Sequence, residues 1–196
     1  MENQTNCGYL EVILGPMFSG KTSKLIDIYK QYQYCSIPVL VINHSADVRY
    51  SNTTMNTHDN ASVPCVFSAK LLDVITENIN LFTANGSVAV LINEGQFFPD
   101  LYNAVYEMVN IYKAHAYVAG LDGDYRRQKF GQMLDLIPIS NAVYKLNSLC
   151  AMCKNGTKAI FSYRIDLQKK EQVQIGSSEY LPLCRQCYSI KSLSTT

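Results

Sequence analysis

The sequence contains neither an apolar run long enough to cross a bilayer nor an excess of charge of one sign. Its 17 Lys and Arg residues nearly balance its 16 Asp and Glu residues, and the formal net charge is +1. A chain this close to neutral offers no electrostatic basis for binding nucleic acid or an anionic membrane. A spanning helix needs about 20 consecutive apolar residues, and the polar residues 1–6 lack the apolar segment of a secretion signal. We therefore expect a soluble, cytoplasmic protein without a membrane or nucleic-acid partner.

The chain also lacks an even number of cysteines and any histidine pair at metal-binding spacing. Three of its seven cysteines are isolated, so a complete set of disulfides is excluded. The other four form two C-x-x-C pairs, which are typical of a closed, structural zinc site in a reducing compartment; they are Cys150, Cys153, Cys184 and Cys187. The segment between the pairs is longer than the usual spacing of about 15 to 20 residues, which indicates an extra loop. Four buried free thiols, or a redox pair, are the alternatives.

Apolar runs that alternate with helical patterns between residues 9 and 147 predict an α/β fold with a mostly parallel sheet and helices on both faces. We expect residues 1–147 to form this domain and residues 148–196 to form a small second one. The polar stretch from His44 to Pro64 predicts a long loop. Residues 69–79 predict a helix whose apolar face includes Leu72 and Ile79.

An eight-residue loop joins a predicted strand at residues 9–14 to a predicted helix at residues 21–34, whose first two residues it includes. It matches the pattern G-x-x-x-x-G-K-[ST] of phosphate-binding loops. Its glycines allow backbone N–H groups to converge on an anion, and the helix that follows directs its positive end to the same place. A lysine for the outer phosphates and a hydroxyl for Mg²⁺ complete the pattern. A chance glycine turn is the alternative. The loop consists of Gly15, Pro16, Met17, Phe18, Ser19, Gly20, Lys21 and Thr22.

A second polar group follows the apolar run that ends at Ile92. The acidic residue on the magnesium side of a phosphate-binding loop is expected at this strand end, but the chain has Asn93 there and a carboxylate at Glu94. An amide can still bind a water of Mg²⁺, although without charge. A carboxylate at a strand end suits a proton acceptor, and a surface charge in a turn is the alternative interpretation of Glu94.

Four segments taken together resemble the zinc-bearing, tetrameric type of thymidine kinase found in cells and many large DNA viruses. They are the loop 15–22, the segment N-E-G-Q-F-F at 93–98, the segment G-L-D-G-D-Y-R-R-Q-K-F-G at 120–131, and the paired C-x-x-C motifs. The resemblance runs from about Tyr9 to Tyr188. It implies a phosphate-loop nucleoside-triphosphatase-like sheet domain, and a zinc-ribbon-like domain that carries a substrate-covering segment, the lasso, at residues 172–176.

The resemblance also implies roles for individual residues. Glu94 corresponds to the catalytic base that takes the proton from the 5′-hydroxyl of thymidine, and Asn93 stands where the family usually has Asp. Asp47 and Arg49 correspond to a pair near the ATP phosphates. The implied substrate-binding residues are Met17, Gln96, Phe97, Leu121, Tyr125, Arg127, Ser162, Gln172, Val173, Gln174, Ile175, Gly176 and Tyr180.

The activity implied is phosphorylation of thymidine by ATP, with Mg²⁺ and a structural Zn²⁺. A homotetramer is implied as well, with thymidine triphosphate as a candidate feedback inhibitor. A kinase for another deoxynucleoside is one alternative, and a non-catalytic ATPase or binding module that uses the zinc knuckles is another.

Overall fold

The structure is a computed structural model that describes residues 7–46, 54–56, 62–84, 87–166, 171–172 and 179–193. In chain order the elements are β1 (Tyr9–Leu14), α1 (Lys21–Tyr34), β2 (Val39–His44), β3 (Thr54–Asn56), β4 (Ser62–Pro64), β5 (Val66–Ser68), α2 (Leu71–Glu77), α3 (Ile79–Thr83), β6 (Ala89–Ile92), α4 (Leu101–Asn110), β7 (His115–Gly120), β8 (Ala142–Lys145), β9 (Ser148–Leu149), β10 (Lys158–Ala159), β11 (Phe161–Arg164), β12 (Tyr180–Leu183) and α5 (Arg185–Leu193).

Six strands form one parallel sheet in the order β5-β2-β6-β7-β1-β8. Their continuous apolar sequences fit this arrangement, because strands covered on both faces have no polar side to present. One face packs against α2, α4 and a 3₁₀ helix over Met133–Ile139, and the other packs against α1. The predicted parallel sheet with helices on both faces is confirmed.

The register of the sheet brings three loops to one edge. Leu14 at the end of β1 pairs with Gly120 at the end of β7 and with Lys145 at the end of β8. Ile92 at the end of β6 pairs with Val118. The loops after β6, β7 and β1 therefore leave three neighbouring strands at their carboxyl ends, which is where parallel α/β sheets bind ligands.

The long polar stretch contains more structure than its sequence predicts. β3 and β4 pair antiparallel, with Met55 opposite Val63, and both side chains are buried on the α1 face of the sheet. The prediction of a loop throughout residues 44–64 is therefore wrong for these strands. Isolated apolar residues in a polar stretch produce no periodic signal, so only their tertiary contacts reveal them.

The predicted helix over residues 69–79 is two short helices, α2 and α3, divided at Asn78. Leu71, Val74 and Ile75 are buried, whereas Leu72 and Ile79 are each more than a third exposed. The predicted apolar face is therefore wrong for Leu72 and Ile79, because the face of α2 that packs on the core carries Leu71, Val74 and Ile75.

The last five elements have a small core of their own. β9 pairs with β10 and β11 pairs with β12, both antiparallel, and α5 packs on β11 and β12. Within the described part of the chain, this core is built around cysteines and Tyr188. We call the described residues 7–146 the sheet lobe and the described residues 148–193 the C-terminal lobe; the division into domains at residue 147 stays a prediction.

None of the helices that the described ranges contain combines the length and the apolar character needed to cross a bilayer.

Candidate active site

The loop between β1 and α1 has backbone geometry that its glycines permit. A Cβ atom on Gly15 would lie 2.6 Å from the carbonyl oxygen of Leu146, so any side chain there would collide with the backbone. Gly20 has φ +83, in the left-handed region that glycine adopts without strain. Helix α1 begins directly after it, at Lys21. The positive end of the helix dipole and the loop N–H groups therefore belong to one anion-binding turn.

Two side chains of this loop make hydrogen bonds, one within the loop and one to the residue after β6. The Lys21 Nζ donates to the carbonyl oxygen of Pro16 at 2.8 Å, which holds the ammonium over the loop. The Thr22 Oγ1 donates to the Asn93 Oδ1 at 3.4 Å. This second contact joins the loop to the residue that follows β6, as the strand order requires. Two neutral oxygens thus lie together where a hard cation bound to a triphosphate would sit, and oxygen is the ligand that Mg²⁺ prefers.

Glu94 lies next to this pair and has an unusual backbone conformation. Its φ of 54 is in the left-handed region, which is uncommon outside glycine. Gly95 follows in a confined place, since a Cβ there would lie 2.6 Å from the Met133 Sδ. The turn therefore ends β6 and leaves the half-buried Glu94 carboxylate against the Gln96 side chain.

Gln96 connects Glu94 to the loop after β7. Its Nε2 donates to the Glu94 Oε2 at 2.6 Å, and its Oε1 accepts from the backbone N–H of Leu121 at 2.9 Å. The Gln96 side chain is buried, with 3% of it exposed. The geometry assigns it to holding Glu94, a role distinct from the substrate contact that the resemblance implied.

The C-terminal lobe contacts the phosphate loop directly. Ser162 on β11 accepts a hydrogen bond at its Oγ from the backbone N–H of Met17 at 2.9 Å. Gln172, in the implied lasso, donates from its Nε2 to the Asp124 Oδ2 at 3.0 Å. The Tyr188 hydroxyl donates to the carbonyl oxygen of Tyr125. Four of the implied substrate residues thus lie along the contact between the lobes, namely Met17, Tyr125, Ser162 and Gln172.

Arg164 is a site residue that the sequence interpretation missed. It is fully buried, and its guanidinium lies 3.8 Å from the centre of the Tyr125 ring and 5.5 Å from that of Tyr180. It donates to the carbonyl oxygens of Glu171 and Gln172 and to the Tyr180 hydroxyl. One side chain therefore joins the implied aromatic contact, Tyr125, to Gln172, where the implied lasso begins, and to Tyr180, which follows the lasso in the chain. A lone Arg that ends the aromatic strand Phe161–Arg164 is the only sequence signal for it.

Other implied substrate residues pack against protein groups. Arg127 is exposed and places its guanidinium 4.6 Å from the centre of the Tyr188 ring. Phe97 packs edge-on against Phe130 and tilted against His44. Asp47, Arg49 and the lasso residues Val173, Gln174, Ile175 and Gly176 lie outside the described residues, so their roles stay predictions.

The four paired cysteines come together at the base of the C-terminal lobe. Their sulfur atoms all lie within 4.8 Å of one another. The Cys153 Sγ lies 3.8 Å from the Cys184 Sγ and 3.4 Å from the Cys187 Sγ. Ligands of tetrahedral zinc, with Zn–S bonds of about 2.3 Å, are separated by about 3.8 Å, so the donor set fits Zn²⁺. Burial alone would raise the pKa of the Cys150 thiol, but backbone N–H groups, that of Cys184 foremost, lower it to about 6.

Comparison with known proteins identifies the family. A family model described as thymidine kinase matches residues 8–188. The chain belongs to the thymidine kinase family. It is similar to the thymidine kinase of Sheeppox virus (strain KS-1), with 38% identity over 94% of this chain and 98% of that protein. It is also similar to the thymidine kinase of Yaba monkey tumor virus (strain VR587), with 40% identity over 92% of this chain and 94% of that protein.

A cellular relative shows that the similarity extends beyond viruses. The chain is 35% identical to the cytosolic thymidine kinase of Gallus gallus over 92% of this chain and 77% of that protein. Membership in the thymidine kinase family accounts for both halves of the site. One half is the phosphate loop of the sheet lobe, and the other is the C-terminal lobe, whose Ser162 contacts that loop and whose Gln172 contacts Asp124 after β7.

Proposed function

We propose that this protein transfers the γ-phosphoryl group of ATP to the 5′-hydroxyl of thymidine. The observation that carries the proposal is the meeting of three groups at the carboxyl edge of the sheet. They are the phosphate loop with Lys21, the Glu94 carboxylate held by Gln96, and the C-terminal lobe tied to Met17 through Ser162. The related proteins are named thymidine kinases, which supports thymidine as the acceptor.

The chemistry follows from the positions of these groups. The 5′-hydroxyl oxygen forms a bond to the γ-phosphorus as the bond from that phosphorus to the β,γ-bridging oxygen breaks, which releases ADP. The hydroxyl proton passes to the Glu94 carboxylate. Lys21 and the loop N–H groups stabilise the charge on the phosphates, which is the main source of catalysis in phosphoryl transfer. Thr22 and Asn93 would hold Mg²⁺, which would supply further positive charge to the phosphates.

The C-terminal lobe has a positioning role in this proposal. Tyr125, Leu121 and the lasso hold the base in this proposal. Zn²⁺ would be held by four thiolates on either side of the strand pair β11–β12, those of Cys150, Cys153, Cys184 and Cys187, and would anchor the lasso between these strands. Zinc here is structural, because four thiolates leave no open coordination position. Covering the nucleoside also keeps water from the phosphate, since water would otherwise compete with the 5′-hydroxyl.

An assay with a panel of deoxynucleosides tests the proposal. ADP formation with ATP and Mg²⁺ is expected to require thymidine, and Glu94→Gln is expected to lose at least about a hundredfold in kcat, the usual range for a catalytic base. Glu77→Gln, at an exposed position in α2, is the matched control.

The rival functions give different results in the same assay. Faster turnover with another deoxynucleoside would assign a different kinase activity. ATP hydrolysis that does not depend on any nucleoside would favour the zinc-knuckle ATPase. A Glu94→Gln variant within about tenfold of the parent protein would remove Glu94 from the base role.

The remaining expectations belong to the same proposal. We propose a homotetramer located in the cytoplasm, without nucleic-acid binding, and with thymidine triphosphate as a feedback inhibitor. Light scattering measures the oligomeric state. Kinetic assays of whether thymidine triphosphate inhibits in competition with thymidine test the feedback inhibition.

A further inference from the structure

A buried pair of amides lies behind the phosphate loop. Asn43 on β2 and Asn93 after β6 are 3% and 4% exposed. β2 and β6 are neighbours, and their register pairs Ile42 with Ile92. The residues that follow this pair, Asn43 and Asn93, therefore lie side by side. The Asn93 Nδ2 donates to the Asn43 Oδ1 at 3.2 Å.

A backbone group determines which way the Asn43 amide faces. The backbone N–H of His44 can only donate, and it donates to the Asn43 Oδ1 at 3.1 Å. The oxygen of Asn43 is therefore on this side, and only a donor can complement it from Asn93. The Asn93 amide accordingly presents its NH₂ group to Asn43, which leaves its oxygen directed at the Thr22 hydroxyl, 3.4 Å away.

This orientation matters for an amide in a way that it would not for a carboxylate. A carboxylate presents an oxygen to a cation in either flip, whereas an amide does so in one flip and presents N–H groups in the other. Mg²⁺ and its bound waters bind to oxygen. Asn93 can therefore present an oxygen to Mg²⁺ only if a neighbouring group fixes the orientation of its amide.

We propose that Asn43 is a positioning residue that orients the Asn93 oxygen toward Mg²⁺–ATP. The chain of contacts runs from the His44 N–H to the Asn43 oxygen, then through the Asn93 NH₂ group to the Asn93 oxygen beside Thr22. The inference rests on the proposed function only in that Mg²⁺ enters with ATP. It is independent of which nucleoside accepts the phosphate.

The test measures ATP binding by isothermal titration calorimetry at a series of Mg²⁺ concentrations, without nucleoside. Asn43→Leu keeps the side-chain size and removes the acceptor. It is expected to raise the Mg²⁺ concentration for half-maximal ATP binding by about tenfold, which is the lower end of the effect of losing a partner of a metal ligand. Asn43→Asp is the matched control, because it keeps an acceptor for the Asn93 NH₂ group, and no rise is expected.

The same substitutions in an Asn93→Asp background separate orientation from general damage. Asn93→Asp alone is expected to lower the Mg²⁺ requirement, since it adds a charge. In that background Asn43→Leu is expected to cause no rise in the Mg²⁺ concentration for half-maximal ATP binding, because a carboxylate presents an oxygen in either orientation. Leu also removes the Asn43 oxygen, which would face the introduced carboxylate at position 93 without a donor between them. A merely structural role for Asn43 predicts the same damage in both backgrounds.

Three results would overturn the inference. They are an unchanged Mg²⁺ requirement in Asn43→Leu, an equal rise in both backgrounds, and ATP binding that does not respond to Mg²⁺ in the parent protein. Thermal unfolding monitors folding, and Asn43→Ala replaces Asn43→Leu if the latter does not fold. Failure to phosphorylate thymidine would contradict the proposed function and leave this binding experiment valid.

Discussion

The sheet lobe and the C-terminal lobe are stabilised in different ways. Two large apolar clusters cover both faces of the sheet, and many of their side chains are completely buried. Among the residues that the structure describes, the hydrophobic core of the C-terminal lobe, in contrast, has seven buried residues, and three of them are cysteines. Apolar burial alone seldom stabilises so small a unit, and natural examples use metals or disulfides instead. We therefore expect the C-terminal lobe to depend on zinc for its folding and the sheet lobe not to depend on it.

Removing zinc is the strongest way to test that contrast. Cys153→Ser, or a chelator that strips the metal, is expected to unfold the C-terminal lobe because zinc binding and folding are coupled. Thymidine binding is expected to fall by more than about a hundredfold. Mg²⁺–ATP binding is expected to weaken by no more than about fivefold, the effect of losing the Ser162–Met17 bond, and the helical circular dichroism of the sheet lobe is expected to persist. Cys35→Ser, at an exposed thiol in the sheet lobe, is the control. Simultaneous loss of ATP binding would show that the lobes are not independent.

Arg164→Lys weakens the C-terminal lobe at one point while leaving its zinc site intact. Lysine keeps the charge but lacks the planar fork that reaches two carbonyl oxygens and lies over the Tyr125 ring. We expect the KM for thymidine to rise by about tenfold, in line with the loss of one or two charge-assisted hydrogen bonds, with a smaller change in kcat. Arg185→Lys, an exposed residue over Phe161, is the matched control. An equal rise in the thymidine KM in Arg164→Lys and Arg185→Lys would contradict a role for Arg164 in positioning the residues that bind thymidine.

Ser162→Ala tests the direct contact between the lobes. It removes the acceptor of the Met17 N–H, and one neutral hydrogen bond contributes about 1 kcal/mol. We expect the KM values for ATP and for thymidine to rise together by about fivefold, because the lost bond joins both sites. Ser162→Thr keeps the hydroxyl and is expected to restore both values, whereas Ser189→Ala on the surface of α5 is expected to change neither. A change in the thymidine KM alone would confine Ser162 to the nucleoside site.

The smallest effect concerns the sheet lobe by itself. Burial, followed by the hydrogen bond to Tyr32, raises the pKa of the Tyr117 hydroxyl in the folded protein. Its stabilising contribution is therefore complete below the unfolded pKa of about 10 and is lost as the pH rises above it. Above about pH 10, the free energy of unfolding of Tyr117→Phe should therefore fall less steeply with pH than that of the parent protein. Tyr34→Phe, at a side chain 92% exposed, is the control, and the thymidine KM should stay unchanged.

Local sequence patterns predicted the parts of the molecule that local physics controls. The span of β1, the phosphate loop and the full extent of α1 agree with the structure, because the apolar run, the glycines and the helical pattern all lie within 26 consecutive residues, Tyr9–Tyr34. The paired cysteines likewise come together as predicted. The β3–β4 hairpin was missed, since Met55 and Val63 become apolar partners only when the hairpin packs on the sheet.

By itself, the sequence determined which residues could carry the chemistry: the phosphate loop, a carboxylate at a strand end and four thiols. Only the tertiary structure decided how those groups are oriented. Arg164 connects Tyr125 to the lasso, and Asn43 sets the direction of the Asn93 amide, through contacts between residues far apart in the chain. Hydrogen bonding is directional and depends on which donor meets which acceptor in the folded protein, so composition and spacing alone do not specify it.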